Sequence, residues 1–178
     1  MQAALFGGSF DPPHRGHEAI VQWLLREKKI DQVWVIPCLN HPFQKSLHSF
    51  KDRFAMCRMV FSKMGEKVFL SEIEKELGGV SYTARTLREL RNQYPSFSWS
   101  IVVGADAYAE RHQWKEVDAL EKEADWVVIP RGKDSKIPDV SGTQIRQNQL
   151  EGKPWENWVL PEVADYFKRL ASSPRHSK

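Results

Sequence analysis

The sequence predicts an α/β protein: a single domain with a parallel sheet of about five strands and helices on both of its faces. Three observations carry that expectation. Short, continuous apolar runs of the kind a strand covered on both sides needs recur at residues 3–6, 32–37, 68–70, 99–103 and 126–130. Helical patterns separate them at the spacing of strand–helix–strand units, whose crossovers are right-handed. A chain of 178 residues, 41% hydrophobic and 28% charged, is long enough for one filled core, and it contains no internal repeat, low-complexity tract or linker.

The elements follow in order. After the first strand, Gly7-Gly8 breaks the run and Pro12-Pro13 bars immediate helix formation. A helix then opens at Gly16, with Ala19, Ile20, Trp23, Leu24 and Leu25 on one side and Lys28-Lys29, cations suited to a helix C-terminus, at its end. The second strand stops at Pro37. Residues 38–49, with His41, Pro42, Phe43, Gln44, Lys45 and His48, have no periodicity and read as a loop. Residues 50–64 are helical, with Phe54, Met56, Cys57, Met59, Val60 and Phe61 apolar and Lys51, Arg53, Arg58 and Lys63 charged. A third strand at 68–70 leads into a charged connection, 72–80, that Gly78-Gly79 ends.

Ser81-Tyr82-Thr83 reads as the cap of a helix running to about Gln93, with Pro95 beyond it. The fourth strand ends at Gly104. Residues 105–112 form a short helix, Trp114 falls in a turn, and residues 117–123 are helical again. Pro130 stops the fifth strand, Arg131-Gly132 follows, and residues 133–140 form a loop. Ser141-Gly142-Thr143 opens a helix containing Ile145, Arg146 and Leu150, and Pro161 starts a last amphipathic helix through Leu170. The domain is expected over 1–171, with 172–178 a disordered tail. Trp23, Trp34, Trp99, Trp126 and Trp158 read as packing residues.

Composition excludes several function classes. The formal charge is +3, and Arg175, His176 and Lys178 sit in the tail, so bulk charge supports no nucleic-acid surface. Cys38 and Cys57 fit neither a disulfide framework nor a zinc motif and are expected to be reduced and packed. With no leader pattern and no apolar stretch of bilayer length, a cytoplasmic enzyme without membrane contact is the expectation. Oligomeric state is not legible.

In open parallel sheets ligands bind beyond the C-terminal ends of the strands. The loops after strands one, two, four and five carry the chain's unusual residues, so one site is expected there. The stretch from Phe6 through His17 joins strand, glycine turn and helix start, an arrangement that aims backbone N–H groups at an anion. It lacks the G-x-G-x-x-G spacing of a dinucleotide fold and the G-K-[ST] ending of a phosphate-binding loop. No partner cluster supports reading His14 and His17 as metal ligands.

The run Gly7-Gly8-Ser9-Phe10-Asp11-Pro12-x-His14-x-Gly16-His17 resembles the G-[TS]-F-D-P-x-H-x-G-H motif of nucleotidyltransferases that activate small phosphates with ATP or CTP. Phe6 through His14 is most similar to bacterial nicotinate-nucleotide adenylyltransferases. The resemblance continues through Ser81-Tyr82-Thr83-x-x-Thr86-Leu87, through Gly104-x-Asp106 with Trp114, and through Arg131. It closes on Ser141-Gly142-Thr143-Gln144-Ile145-Arg146, which resembles the superfamily's I-S-S-T-x-I-R motif. It implies a Rossmann-like domain that moves AMP from ATP to nicotinate mononucleotide, with Mg²⁺ arriving on the triphosphate.

Such a transfer has an acceptor phosphate oxygen attack the α-phosphorus as pyrophosphate leaves, so positioning and charge neutralisation carry the rate. His14, His17 and Arg146 are the candidate catalytic residues: the histidines, whose pKa near neutrality favours some protonation beside a polyanion, for the α- and β-phosphates, and Arg146 for the β- and γ-phosphates. ATP contacts are assigned to Gly7, Gly8, Ser9, Phe10, Gly104, Asp106, Arg131, Ser141 and Thr143. Acceptor contacts are assigned to Lys45, Thr83 and Trp114, the last stacking on a pyridine ring.

Three positions depart from the family. Pro42-Phe43-Gln44-Lys45 stands where P-P-H-[KR] is usual, Gly142 replaces a serine, and residues 132–140 are shorter than the family's segment. Gly142 is expected to lose a hydroxyl and some rigidity at the helix start. Other acceptors stay open, namely nicotinamide mononucleotide, phosphopantetheine and glycerol phosphate, and so does a non-catalytic ATP-binding module.

Overall fold

The computed structural model describes residues 1–43, 46–130 and 135–172. Five parallel strands form one sheet: β1 (Gln2–Gly8), β2 (Gln32–Pro37), β3 (Val68–Leu70), β4 (Ser98–Gly104) and β5 (Asp125–Ile129), in the order β3-β2-β1-β4-β5. Every strand falls within a residue or two of its expected position. The register sets Phe6 beside Val35 and Leu5 beside both Trp34 and Ile101.

Side chains alternate across a strand, so each strand feeds two cores. Ala4, Phe6, Val33, Val35 and Val102 face α1 (Arg15–Glu27), α2 (Phe50–Phe61) and α8 (Pro161–Ser172), which contribute Val21, Leu24, Met56, Val60, Val163 and Phe167. Ala3, Leu5, Trp34, Ile36, Ile101 and Val103 face α3 (Ile73–Leu77), α4 (Thr83–Gln93) and α6 (Val117–Glu123), through Ile73, Leu87, Leu90 and Leu120. The short α5 (Ala105–Ala109) follows β4 directly, and α7 (Gly142–Leu150) anchors Ile145 in the first core. Both cysteines are free and buried.

The sheet order reverses between β1 and β4: the chain builds outward to β2 and β3, then returns to the other side of β1. That switch point opens a crevice beyond the strand ends. Among the described residues, no helix is long and apolar enough to cross a membrane.

Two local expectations are corrected. The connection at 72–80 contains a turn of helix, α3, because Ile73 is drawn under the sheet at 3% exposure. Ser81 does not cap α4. Tyr82 occupies the N-cap without a side-chain bond, and the Ser81 hydroxyl oxygen accepts from the Leu39 N–H at 2.8 Å, tying the helix start to the loop after β2. Ser49 and Ser141 do cap α2 and α7, accepting from Asp52 N–H and Gln144 N–H at 3.1 Å each.

Candidate active site

Two clefts open at the switch point. The first, about 310 Å³, lies between the loop after β1 and the start of α7. The second, about 870 Å³, lies over the α4 side of the sheet. Phe6, Gly104 and Ile129 line both, so the clefts meet over the ends of β1, β4 and β5.

The first cleft is built from the turn that leaves β1. Phe10 takes a left-handed backbone conformation (φ 48°) and turns its ring into the core against Phe6, Phe61 and His17, at 5.5, 5.8 and 4.7 Å between centroids. His14 starts α1. Its N–H donates to His17 Nδ1 at 3.1 Å, and the two imidazoles stack at 3.7 Å. Because Nδ1 of His17 accepts, its proton sits on Nε2. Burial favours the neutral form of both rings: His14 is pushed down to about 4, and His17 well below its usual value by burial and by His14. Two neutral imidazoles therefore form this wall. Gly16 is enclosed: a Cβ there would meet His14 Nδ1 at 3.0 Å and the Pro138 carbonyl at 3.2 Å.

The opposite wall is α7. Arg146 donates from Nη1 to the Asp11 carbonyl oxygen at 2.5 Å and from Nη2 to Thr143 Oγ1 at 3.1 Å. Asp11, whose side chain is inaccessible to solvent, accepts from the His48 N–H at 3.1 Å and holds His48 Nδ1 at 2.8 Å. Burial alone would raise the Asp11 carboxyl, but the His48 hydrogen bonds and charge and the nearby Arg146 outweigh it and hold the group below its usual range. Arg53, grouped from the sequence with the charged residues of its helix, is 1% exposed. It donates to the carbonyls of Ser9 (2.8 Å), Cys38 (2.7 Å), Leu39 (3.2 Å) and His48 (3.0 Å), joining the loops after β1 and β2.

His14, His17, Arg146, Ser9, Phe10, Ser141, Thr143 and Gly104 come together around the first cleft. Gly7, Gly8, Thr83 and Trp114 line the second. Asp106 lines neither and is exposed in the first turn of α5. Lys45, Arg131 and the tail beyond residue 172 lie outside the described residues. Trp114 leaves a 3-10 turn (Arg111–Gln113) with its ring 5.6 Å from Trp126, so the second core backs one part of it while the cleft exposes another. Sequence reasoning missed Arg53 and His48 and gave Asp11 no role. The helical register held one signal: Arg53, Met56, Cys57 and Val60 fall at i, i+3, i+4 and i+7, and all are buried.

A parallel sheet whose switch point presents paired imidazoles, a helix start and a guanidinium defines a nucleotide-handling α/β protein of the doubly wound class. Residues 5–148 match the cytidylyltransferase-like family model. The chain is 34% identical to a protein from Anaeromyxobacter dehalogenans named probable nicotinate-nucleotide adenylyltransferase, over 94% of both chains. It is 35% identical to one of the same name from Shouchella clausii, over 89% of this chain and 90% of that one. The chain belongs to the cytidylyltransferase-like family and, within it, to the nicotinate-nucleotide adenylyltransferases. The fold agrees with that of Plasmodium falciparum nicotinic acid mononucleotide adenylyltransferase complexed with NaAD, at a TM-score of 0.79 and 20% identity over 95% of both chains.

Proposed function

We propose that this protein transfers AMP from ATP to nicotinate mononucleotide, forming the deamido-NAD dinucleotide and releasing pyrophosphate. Family membership supports the reaction class. The observation that carries the site is the hydrogen bond from Arg146 to the Asp11 carbonyl, which joins the chain's two phosphate-handling segments around one cleft. The larger cleft beside it, with Thr83 and Trp114, is the acceptor's place.

ATP lies with its triphosphate between His14, His17 and the start of α7. Nε2–H of His17 donates to a phosphate oxygen, and the triphosphate's charge raises both imidazoles toward protonation, so positive charge grows where the leaving pyrophosphate develops negative charge. Arg146 turns its fork from Asp11 and Thr143 toward the β- and γ-phosphates. Ser9 and the glycines of β1 let the backbone approach the phosphates, with Gly104 and Asp106 near the ribose. In the second cleft the α4 start and Thr83 meet the acceptor's carboxylate, and Trp114 stacks on its ring. Lys45 serves the acceptor phosphate and Arg131 the ATP. The donors at the first cleft, the imidazoles, the Arg146 fork and the start of α7, suit phosphate oxygens, and Mg²⁺ would enter bound to the triphosphate. Bound with ATP, such an ion would supply charge neutralisation for the leaving pyrophosphate. Residues 1–171 act as one catalytic domain of a cytoplasmic enzyme.

The test is pyrophosphate release from ATP and Mg²⁺ with a panel of acceptors: nicotinate and nicotinamide mononucleotides, phosphopantetheine and glycerol phosphate. Turnover with the pyridine mononucleotides, nicotinate foremost, is expected. No release with either pyridine acceptor would overturn the assignment.

A further inference from the structure

The second cleft holds a buried acid that the reaction above leaves unused. Glu74, on α3, is 4% exposed and lines the cleft together with Thr86, which is 1% exposed. The Thr86 hydroxyl donates to Glu74 Oε1 and lies 3.3 Å from the Tyr82 carbonyl. Glu74 Oε2 is occluded from solvent and has no hydrogen-bond partner among the described residues.

A carboxyl group half satisfied in a cleft wall is costly unless something supplies compensating charge or a donor. Among the described residues, the other charged groups lining the cleft, Glu110 and Lys115, are exposed and screened by water. The field of Glu74 passes through protein, where a charge acts more strongly and needs no direct contact. Trp114, lining the same cleft, offers an aromatic face that also attracts a cation. Both features favour a flat ring that carries positive charge.

Resting on the acceptor assigned above, we propose that Glu74 is the charge partner of the acceptor's pyridinium ring. A pyridine glycosylated on its nitrogen carries a permanent positive charge spread over the ring. The 1,4-dihydro form of the same mononucleotide has the same ribose, phosphate and ring substituent but an uncharged ring. Glu74 makes the cleft select the first over the second, with Thr86 fixing the orientation of its carboxyl group.

The experiment measures, by calorimetry, the Kd of oxidised and 1,4-dihydro nicotinate mononucleotide for the wild type and for Glu74→Gln, and repeats the comparison as kcat/KM by pyrophosphate release. The wild type is expected to bind the oxidised form about tenfold tighter or more. Glu74→Gln removes the charge at nearly constant shape, so it should weaken the oxidised form about tenfold, leave the dihydro form and the KM for ATP unchanged, and erase most of the selectivity. Thr86→Val, which removes the hydroxyl that orients the carboxyl group, should reduce the selectivity part of the way toward that of Glu74→Gln. Equal wild-type affinity for the two ring forms, or equal loss of both in Glu74→Gln, overturns the proposal. The wild-type comparison needs no variant to fold, and the binding arm needs no turnover, so absent pyrophosphate release counts against the reaction alone.

Discussion

Gly142 lies against Asp11: a Cβ at position 142 would stand 2.8 Å from the Asp11 carbonyl oxygen and 3.4 Å from Arg146 Nη1. With glycine where the family has a serine, α7 seats directly on the loop after β1. Gly142→Ser should therefore push α7 away from that loop, raise the KM for ATP about tenfold and lower stability by roughly 1–3 kcal/mol, the usual range for overpacking. Steady-state kinetics with ATP varied, beside a melting curve, checks it. An unchanged KM would mean that the two backbones separate at no cost to the site.

Arg53 answers four carbonyl groups from inside the protein. Arg53→Met should leave those acceptors unmatched and cost about 3–5 kcal/mol, a fall in Tm on the order of 10 °C for a chain of this size. Calorimetric melting reads the loss. A shift of a degree or two would show that water replaces the guanidinium.

Arg146→Lys keeps a charge but loses the planar fork that spans Asp11 and Thr143. With the site as proposed, kcat should fall on the order of 100-fold while the KM for the mononucleotide stays within about twofold. A rise in the acceptor KM with kcat intact would place Arg146 on the acceptor instead.

The histidines set an acid limit on stability. An unfolded chain takes up protons on His14 and His17 as pH drops through about 6.5, whereas the folded chain keeps His14 neutral down to about 4 and holds His17 well below its usual range. Stability thus rises with pH across that window and is lost as pH falls, by up to about 1.4 kcal/mol per pH unit per histidine. Asp11, held ionised below its usual range, adds a loss of the same sign at still lower pH. Urea titrations between pH 4.5 and 7.5 should trace this slope. ATP binding at pH 6 should be coupled to proton uptake, read as a dependence of binding enthalpy on the buffer's ionisation heat; no uptake would mean that the imidazoles stay neutral beside the phosphates.

Trp114→Ala removes the aromatic surface of the second cleft. The KM for a pyridine mononucleotide should rise about tenfold or more, equivalent to 1–2 kcal/mol of stacking, with the KM for ATP little changed. Equal losses for both substrates would instead point to collapse of the Trp114–Trp126 packing.

The strands, most helix limits and the two motif segments that line the first cleft were legible in the sequence because each is a local pattern. Period and punctuation locate β2 between Gln32 and Pro37, and the spacing from Gly7 to His17 marks the turn after β1. The α3 turn was missed because Glu72 through Gly79 is dominated by charge, and only the pull of Ile73 into the core makes it helical. Ser81 was misread as a cap because cap chemistry is local, while its actual partner, Leu39, lies 42 residues away.

By itself, then, the sequence determined the sheet, the order of its elements and the chemistry class, since residue type and spacing suffice for those. Tertiary structure alone decided that Asp11 holds both His48 and Arg146, that Arg53 is interior, that Glu74 lines the second cleft, and that Gly142 is a contact. It also decided that the two histidines start neutral. Each depends on burial and on partners far along the chain, up to 135 residues for Asp11 and Arg146, and desolvation is a property of the packed whole that no stretch of sequence carries.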